Sequence, residues 1–366
     1  MKICIILGTR PEIIKMSSII RECQKNHFNY FILHTNQHYT ENLDKIFFQE
    51  LKLPIPRYNL GVGSGTHAEE TGKMLIGIEK VLIKEKPDVV LIEGDTNTVL
   101  AGALAAAKLY IKIGHVEAGL RSHFRGMPEE INRILVDHCS DFLFAPTRKA
   151  RENLLKENIP AKKIFVVGNT IVDAVYQNLK LAKIKSKILF NLGLKPKKYF
   201  LLTLHRQENV DIKERIEEIF KGLNMVSGKF NLPIIYPIHP RTKKMIKKFK
   251  IKVPPEIKII EPIGFFDFLN VEANAKLIFT DSGGVQEEAC ILKVPCVTLR
   301  DNTERPETIE VGSNILSGAG PLKILNDTLY MINKKRNWRN PFGDGKSGKR
   351  IVSILKKFLK RNYAKN

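Results

Sequence analysis

Phe279-Thr-Asp-Ser-Gly-Gly-Val-Gln-Glu-Glu-Ala289 sets the reading of the whole chain. An apolar run, Lys276–Thr280, stops at polar and small residues, and a helical pattern begins at once over Val285–Ile291. A strand that passes into a helix through glycines marks a βα unit. Gly283 and Gly284 carry no side chains to block the first backbone N–H groups of that helix, and the helix dipole favours an anion there. Ser282, Gly283 and Gly284 are therefore candidates for gripping a phosphate. Glu288, about one turn in, is placed to accept hydrogen bonds from ribose hydroxyls. A small-residue turn with ordinary helix charge is the plainer alternative.

The same alternation extends outward in both directions. Strands are expected at Lys2–Leu7, Tyr30–His34, Val89–Glu93, Lys112–Val116, Phe142–Ala145 and Ile164–Val167. Helices are expected at Ile13–Gln24, Glu69–Ile83, Thr98–Lys108, Glu129–Asp137 and Lys149–Glu157. Around Leu179–Lys198 the chain turns Lys-rich, with Gly193 and Pro196, and the inter-domain connection is placed there. The pattern then restarts, with strands at Tyr199–Leu204, Pro233–Tyr236, Lys258–Ile260, Lys276–Thr280 and Pro295–Thr298. Helices at Ile212–Met225, Lys243–Phe249, Phe266–Ala273 and Val285–Ile291 separate them. Short apolar strands alternating with helices predict parallel sheets. The expected fold is α/β, with two Rossmann-like doubly wound domains, residues 1–180 and 181–346, whose strand ends face a cleft.

Composition narrows the classes. A chain of 366 residues is comfortable for two cores. Its apolar runs fall far short of the roughly 20 residues that span a bilayer. Lys2–Leu7 resembles the start of a signal peptide, but charge and a turn at Thr9-Arg-Pro-Glu12 interrupt it, so a first strand and a cytoplasmic protein are expected. The 5 cysteines are odd in number and lack a C-x-x-C pair, so buried free thiols are expected. No H-E-x-x-H or His/Cys cluster predicts a metal. The net charge of +22 invites nucleic-acid binding. The lysines, however, are spread over helices without aromatic interleaving, which reads as a solvated surface. Gly61-Val-Gly-Ser-Gly65 lacks the G-x-G-x-x-G spacing, so no nicotinamide cofactor is expected. Thr66-His-Ala-Glu69 fits a capping box instead.

Four more clusters sit where expected strands end, the edge at which doubly wound domains bind ligands. Gly8-Thr-Arg-Pro-Glu12 with Lys15 puts Arg10 and Lys15 near a helix start, suited to phosphate or sugar oxygens. In Glu93-Gly-Asp-Thr-Asn97, Asp95 is either a helix cap or a catalytic carboxylate. His115-Val-Glu-Ala-Gly-Leu-Arg121 and Pro128-Glu-Glu130 supply Glu117 and Glu129, which could serve as acid and base; Glu129 could equally be a favourable charge at a helix N-terminus. His205-Arg-Gln-Glu-Asn209 offers His205 as a proton carrier or leaving-group donor.

Taken in order, these motifs, with Asn340-Pro-Phe-Gly-Asp-Gly345, resemble the non-hydrolysing UDP-N-acetylglucosamine 2-epimerases over nearly the whole chain. The resemblance implies a glycosyltransferase-B-like fold, a last helix (347–366) crossing back to the first domain, and a homodimer. It implies that Arg10, Lys15, Asp95, Glu117 and His205 contact the substrate or do the chemistry. It gives Ser282, Gly283, Gly284 and Glu288 the UDP part, with Phe268 and Arg305 matching nucleotide-site positions. It also implies a second, regulatory substrate site near Gln37-His38, Arg206 and His239, although Thr40 stands where bacterial relatives tend to have glutamine.

The chemistry is constrained too. The hydrogen on carbon 2 is not acidic, and no nicotinamide motif exists to oxidise the sugar. Elimination of UDP to 2-acetamidoglucal, then re-addition, is the route the resemblance implies. Asp95, Glu117 and Glu129 are the acid/base candidates, and His205 assists at the diphosphate. A hydrolysing epimerase, a glycosyltransferase of the same fold and a nucleic-acid-binding protein are the rival readings.

Overall fold

The computed structural model describes residues 2–36 and 48–363. The chain divides into two compact units, Met1–Ala174 with Phe342–Asn366, and Val175–Pro341. The first unit holds β1 (Lys2–Leu7), β2 (Asn29–His34), β3 (Tyr58–Asn59), β4 (Val89–Glu93), β5 (Lys112–Val116), β6 (Phe142–Ala145) and β7 (Ile164–Val166). The second holds β8 (Phe200–Thr203), β9 (Ile234–Pro237), β10 (Ile257–Ile260), β11 (Ile278–Thr280), β12 (Cys296–Thr298) and β13 (Asn314–Leu316). Among the described residues the sheet orders are β3-β2-β1-β4-β5-β6-β7 and β10-β9-β8-β11-β12-β13, with every pair parallel. Each order reverses direction once, between β1 and β4 and between β8 and β11. That is the doubly wound arrangement, and the reversal marks where a ligand crevice opens at the carboxyl ends of the strands.

The strand sequences explain why both faces are covered. In the stretch Tyr199–Leu204, Phe200, Leu202 and Leu204 point to one core with Phe220, Leu223 and Ile324. Tyr199 and Leu201 point to the other, with Val271, Val285 and Ala289. This period-2 alternation of apolar residues needs helices on both sides of the sheet. In the first unit Cys4, Ile6, Val90 and Ile92 pack against Met74, Ile78 and Val99 from the helices His67–Glu85 and Asn97–Lys108. The capping box is present. Thr66 Oγ1 accepts from Glu69 N at 3.3 Å, and Glu69 Oε2 accepts from Thr66 N at 2.9 Å.

Three parts of the architecture differ from the sequence reading. The stretch expected to be a connection begins inside a helix, Thr170–Lys185, and a short helix, Ile188–Asn191, follows. Val172, Val175 and Ala182 of the longer helix are fully buried, an apolar stripe that the neighbouring lysines obscure. β3 and β13 were not foreseen, being 2 and 3 residues long. The helix Pro321–Asn333 was also unread; its Ile324 and Met331 join the core of the second sheet. The helix Ser347–Tyr363 packs on Arg10–Lys25 in the first unit. Asp173 caps its start, accepting from Ser347 N at 3.1 Å and Gly348 N at 3.0 Å. All 5 cysteines are free.

Candidate functional site

At the switch point of the first sheet, β1 ends on Gly8. A Cβ there would lie 2.0 Å from Thr98 Oγ1 and 2.5 Å from Thr35 Oγ1, so the position has room only for glycine. The chain then enters the helix Arg10–Lys25, whose first turn carries half-buried Arg10 and buried Glu12. Glu12 Oε2 accepts from Gly8 N at 2.5 Å and Thr9 N at 3.2 Å, and its Oε1 lies 2.6 Å from Thr96 Oγ1. Burial pushes its carboxyl up to about 7, against the opposing pull of those hydrogen bonds. The folded chain therefore keeps a proton that the unfolded chain loses near 4.5. Stability from this group is full below that pH and falls as pH rises through the window to about 7, by on the order of 3 kcal/mol. Glutamine keeps an oxygen for the Gly8 and Thr9 N–H groups, can turn its NH₂ to the Thr96 hydroxyl oxygen, and does not titrate. Urea unfolding of Glu12→Gln at pH 5 and pH 8 should show the gap between the two pH values shrinking by about that amount.

One turn further, Lys15 reaches two carboxylates at neighbouring strand ends. Its Nζ lies 2.5 Å from Glu117 Oε2 and 3.0 Å from Glu93 Oε1. Glu93 is the last residue of β4, and Glu117 follows directly on β5, which pairs with it. Glu93 is 1% exposed. Burial drives its carboxyl well above the ordinary range; Lys15 pulls it down, and the like charges of Glu117 and Glu12 push it further up. Of the two carboxylates, Glu117 is the closer partner of the cation, at 2.5 Å against 3.0 Å for Glu93. Glu117 itself sits at φ 70°, in the left-handed region that a side chain other than glycine rarely adopts. Asn169 Nδ2 donates to its Oε2 at 3.1 Å. Unlike Lys86, Asn231 and Lys250, whose left-handed backbone ends a helix, Glu117 takes this conformation directly after a strand with its carboxylate held by Lys15 and Asn169.

Asp95 resolves differently from a cap. Thr96 takes the N-cap position of the helix Asn97–Lys108, and Gly94 makes the turn at φ 87°. The Asp95 carboxylate instead meets Arg133 Nη2 at 2.5 Å, and Asn132 Nδ2 donates to the Asp95 carbonyl at 2.9 Å. Arg133 also pairs with Glu130 at 2.8 Å. Glu129 lies one turn before Arg133 on the helix Pro128–Cys139, half-buried, and its carboxylate makes no hydrogen bond or ion pair among the described residues. Its neighbour Glu130 is the carboxylate that folds inward, accepting from Ser122 N and His123 N, each at 2.9 Å. Beneath them, His115 spans Asp137 Oδ1 at 2.7 Å and the Gly94 carbonyl at 2.9 Å, fixing the turn that carries Asp95.

The second sheet repeats the plan at β8 and β11. Asp281 follows β11 and is fully buried. It accepts from His205 N at 2.9 Å, Arg206 N at 2.8 Å and Asn209 Nδ2 at 3.2 Å. His205 Nδ1 lies 3.1 Å from its Oδ1. Burial alone would raise the Asp281 carboxyl, but His205 and these N–H groups outweigh it and hold it below the usual carboxylate range. An Nδ1–H directed at Asp281 leaves Nε2 of the partly exposed His205 ring facing outward. The His239 ring stands 5.4 Å from it and caps the helix Pro240–Phe249, its Nδ1 accepting from Arg241 N at 3.2 Å. Ser282 is the N-cap of the helix Gly283–Ile291; its N–H turns back to Thr280 Oγ1 at 2.9 Å. Ser282 and Gly284 are partly exposed. At Gly283 a Cβ would lie 2.3 Å from Glu304 Oε1. Glu304 is held down to about 2, because Arg305, Arg300 and Arg206 outweigh its burial. Arg305 is buried with Nε 2.8 Å from Glu287 Oε1, and Arg206 Nη2 reaches Glu304 at 3.5 Å. Phe268 packs beside Val285 and Ile278 in the core below the turn.

The structure thus gathers Arg10, Lys15, Asp95 and Glu117 at one strand edge, and His205, Arg206, His239, Ser282, Gly283 and Gly284 at the other sheet's edge. Glu288 is partly exposed one turn into the Ser282 helix; its charge raises the carboxyl of buried Glu272 in addition to the larger effect of burial. Gln37 and His38, with Thr40, lie outside the described residues. Sequence reading passed over Glu93, Arg133, Asn169 and Asp281 as actors. A charge closing the all-apolar run Val89–Ile92 was the available signal for Glu93, as was Gly168-Asn-Thr170 after a strand for Asn169. Among the described residues no group of His, Cys, Asp and Glu is placed to hold a metal ion, and no helix is long and apolar enough to cross a membrane.

Comparison with known proteins matches the chain over residues 21–356 to the family model described as UDP-N-acetylglucosamine 2-epimerase. The UDP-N-acetylglucosamine 2-epimerase of Methanocaldococcus jannaschii is 63% identical over 97% of this chain and 99% of its own length. That of Methanococcus maripaludis is 61% identical over 97% of this chain and 98% of its own length. A crystal structure of the M. jannaschii enzyme in complex with UDP-GlcNAc and UDP covers 98% of this chain and 100% of that one, at TM-score 0.91 and 63% identity. Two Rossmann-like units with the same switch-point edges, matched nearly end to end in sequence and in fold, leave one assignment: the chain belongs to the UDP-N-acetylglucosamine 2-epimerase family.

Proposed function

We propose that the chain inverts carbon 2 of UDP-N-acetylglucosamine, reversibly giving UDP-N-acetylmannosamine, by eliminating UDP and adding it back. In the forward half a base takes the carbon-2 proton and the C1–O bond breaks. UDP leaves with the bonding pair, and a C1=C2 double bond forms. In the return half a proton arrives on the opposite face of carbon 2 and a diphosphate oxygen closes on C1. Both halves need carboxylates poised near one cation, and the observation that carries the reading is Glu117 held at 2.5 Å from Lys15 in a strained backbone conformation. Asp95 and Glu129 are the remaining acid/base groups. Arg10 and Lys15 meet the developing negative charge on the diphosphate. The helix start at Ser282, Gly283 and Gly284 suits the UDP part, with Glu288 for the ribose and Phe268 and Arg305 supporting the nucleotide. His205, oriented by Asp281, assists departure and return of the diphosphate. Arg206 and His239, beside His205, are the described part of a regulatory substrate site.

The same reading makes the protein a cytoplasmic homodimer that supplies activated N-acetylmannosamine for surface polysaccharide or glycan synthesis, with no nucleic-acid or membrane partner. Incubation with UDP-N-acetylglucosamine alone tests it. UDP-linked N-acetylmannosamine is the expected product. Free N-acetylmannosamine with UDP would mean a hydrolysing enzyme, and inertness without an acceptor would mean a glycosyltransferase.

A further inference from the structure

Asn169 is 2% exposed and lies after β7, near where the chain returns to the first unit. Every polar part of it is engaged. Its backbone N–H donates to the Phe342 carbonyl at 2.7 Å, and its own carbonyl accepts from Ser347 Oγ at 3.2 Å. Its side-chain Oδ1 accepts from Ile171 N at 3.0 Å. That last bond fixes the sense of the amide: with Oδ1 taken by an N–H, only the NH₂ group can face Glu117, and it does so at 3.1 Å. The preceding Gly168, at φ 89°, has no space for a Cβ, which would meet Ser347 Oγ at 2.7 Å and the Phe342 carbonyl at 3.1 Å. The donor is thus anchored to the returning segment rather than to β5, which carries Glu117.

We infer that Asn169 is a positioning residue for the reaction, a fixed N–H donor, its own backbone held by Phe342 and Ser347, that keeps the Glu117 carboxylate in its working orientation. The inference rests on the reading that Glu117 takes part in the chemistry. The charged groups facing Glu117 include Lys15 from the helix Arg10–Lys25 and Glu93 from β4, with Glu12 beside Glu93. Asn169 adds the neutral donor. It orients the carboxylate without supplying another charge that would compete for Lys15.

Asn169→Asp keeps the size and the Ile171 bond but points an oxygen at Glu117 Oε2. Two carboxylate oxygens at about 3 Å do not both ionise. The acid limb of the kcat/KM profile should therefore move to higher pH by about one unit or more. Asn169→Ala removes the donor without adding charge. It should lower kcat roughly tenfold to a hundredfold, with KM and UDP affinity within about twofold. An Asn169→Asp enzyme whose acid limb is unmoved overturns the inference. So does an Asn169→Ala enzyme with unchanged kcat, and this second variant decides if the first does not fold. Glu117→Gln is run beside them. If it remains active, the reading of Glu117 falls; if it is inactive while both Asn169 variants behave as the parent, only the role of Asn169 falls.

Discussion

Glu117→Gln is expected to lower kcat for epimerisation by about a thousandfold while UDP binds as before. The substitution preserves volume and keeps an oxygen for Asn169 to bond. It removes the charge 2.5 Å from Lys15 and with it the ability to take a proton. Lys15 would keep Glu93, at 3.0 Å, and pull that buried acid towards ionisation. The variant therefore loses a base and redistributes the charge left behind. UDP affinity, measured by calorimetry, should stay within a few-fold, since Lys15 keeps its charge for the diphosphate and the other groups proposed for the nucleotide lie around Ser282 in the other unit. A variant that turns over normally when saturated but binds poorly would place Glu117 in binding instead of chemistry. Asp95→Asn tests the neighbouring carboxylate in the same way.

Asp281→Ala is expected to be the most destabilising single change at the second edge. Four donors converge on this buried carboxylate: the backbone N–H groups of His205 and Arg206, the Asn209 amide and the His205 ring. Alanine removes the shared acceptor from a fully buried position; the Asn209 amide keeps its bond to the Leu299 carbonyl at 2.8 Å and the partly exposed His205 ring can turn to water, but the two backbone N–H groups lose their partner. Buried donors without partners cost about 1–3 kcal/mol each. Allowing for relaxation and water entry, a total of about 3–5 kcal/mol is expected, or a Tm drop on the order of 10 °C by differential scanning calorimetry. Because hydrogen bonding holds the Asp281 carboxyl below its unfolded value, its contribution is present above that value and is lost as pH falls through the folded one. The variant should accordingly lose less stability on acidification than the parent. A Tm within 2 °C of the parent would mean that Asp281 does not organise the His205 turn.

How far the sequence carried these conclusions depended on whether the signal was local. Val89–Ile92 is apolar without interruption, and a buried parallel strand followed from that alone; the structure places β4 there, ending on Glu93. The turn at Asp281–Gly284 was equally legible, because an apolar run that stops at small residues before a helical pattern marks a strand passing into a helix; β11 ends at Thr280 and the helix Gly283–Ile291 follows. The helix Thr170–Lys185 was not, since lysines surround its buried Val172, Val175 and Ala182. Site roles were harder. Asp95 looked the same as a cap until Thr96 was seen in the cap position and Arg133 was found 2.5 Å from the carboxylate. Asn169 and Glu117 are far apart in the chain, and no local pattern announces that an amide from one loop will meet a carboxylate from another strand. The pairing of Lys15 with both Glu93 and Glu117 depends in the same way on β1, β4 and β5 lying side by side.

Proton NMR of UDP-N-acetylglucosamine incubated with the protein in deuterated water reads product identity and the fate of the carbon-2 hydrogen together. Elimination and re-addition require that hydrogen to leave with a base and a solvent-derived one to return on the other face. The product should be UDP-linked N-acetylmannosamine carrying deuterium at carbon 2. An inverted product that keeps its original carbon-2 proton, or release of the free sugar alone, would contradict the account.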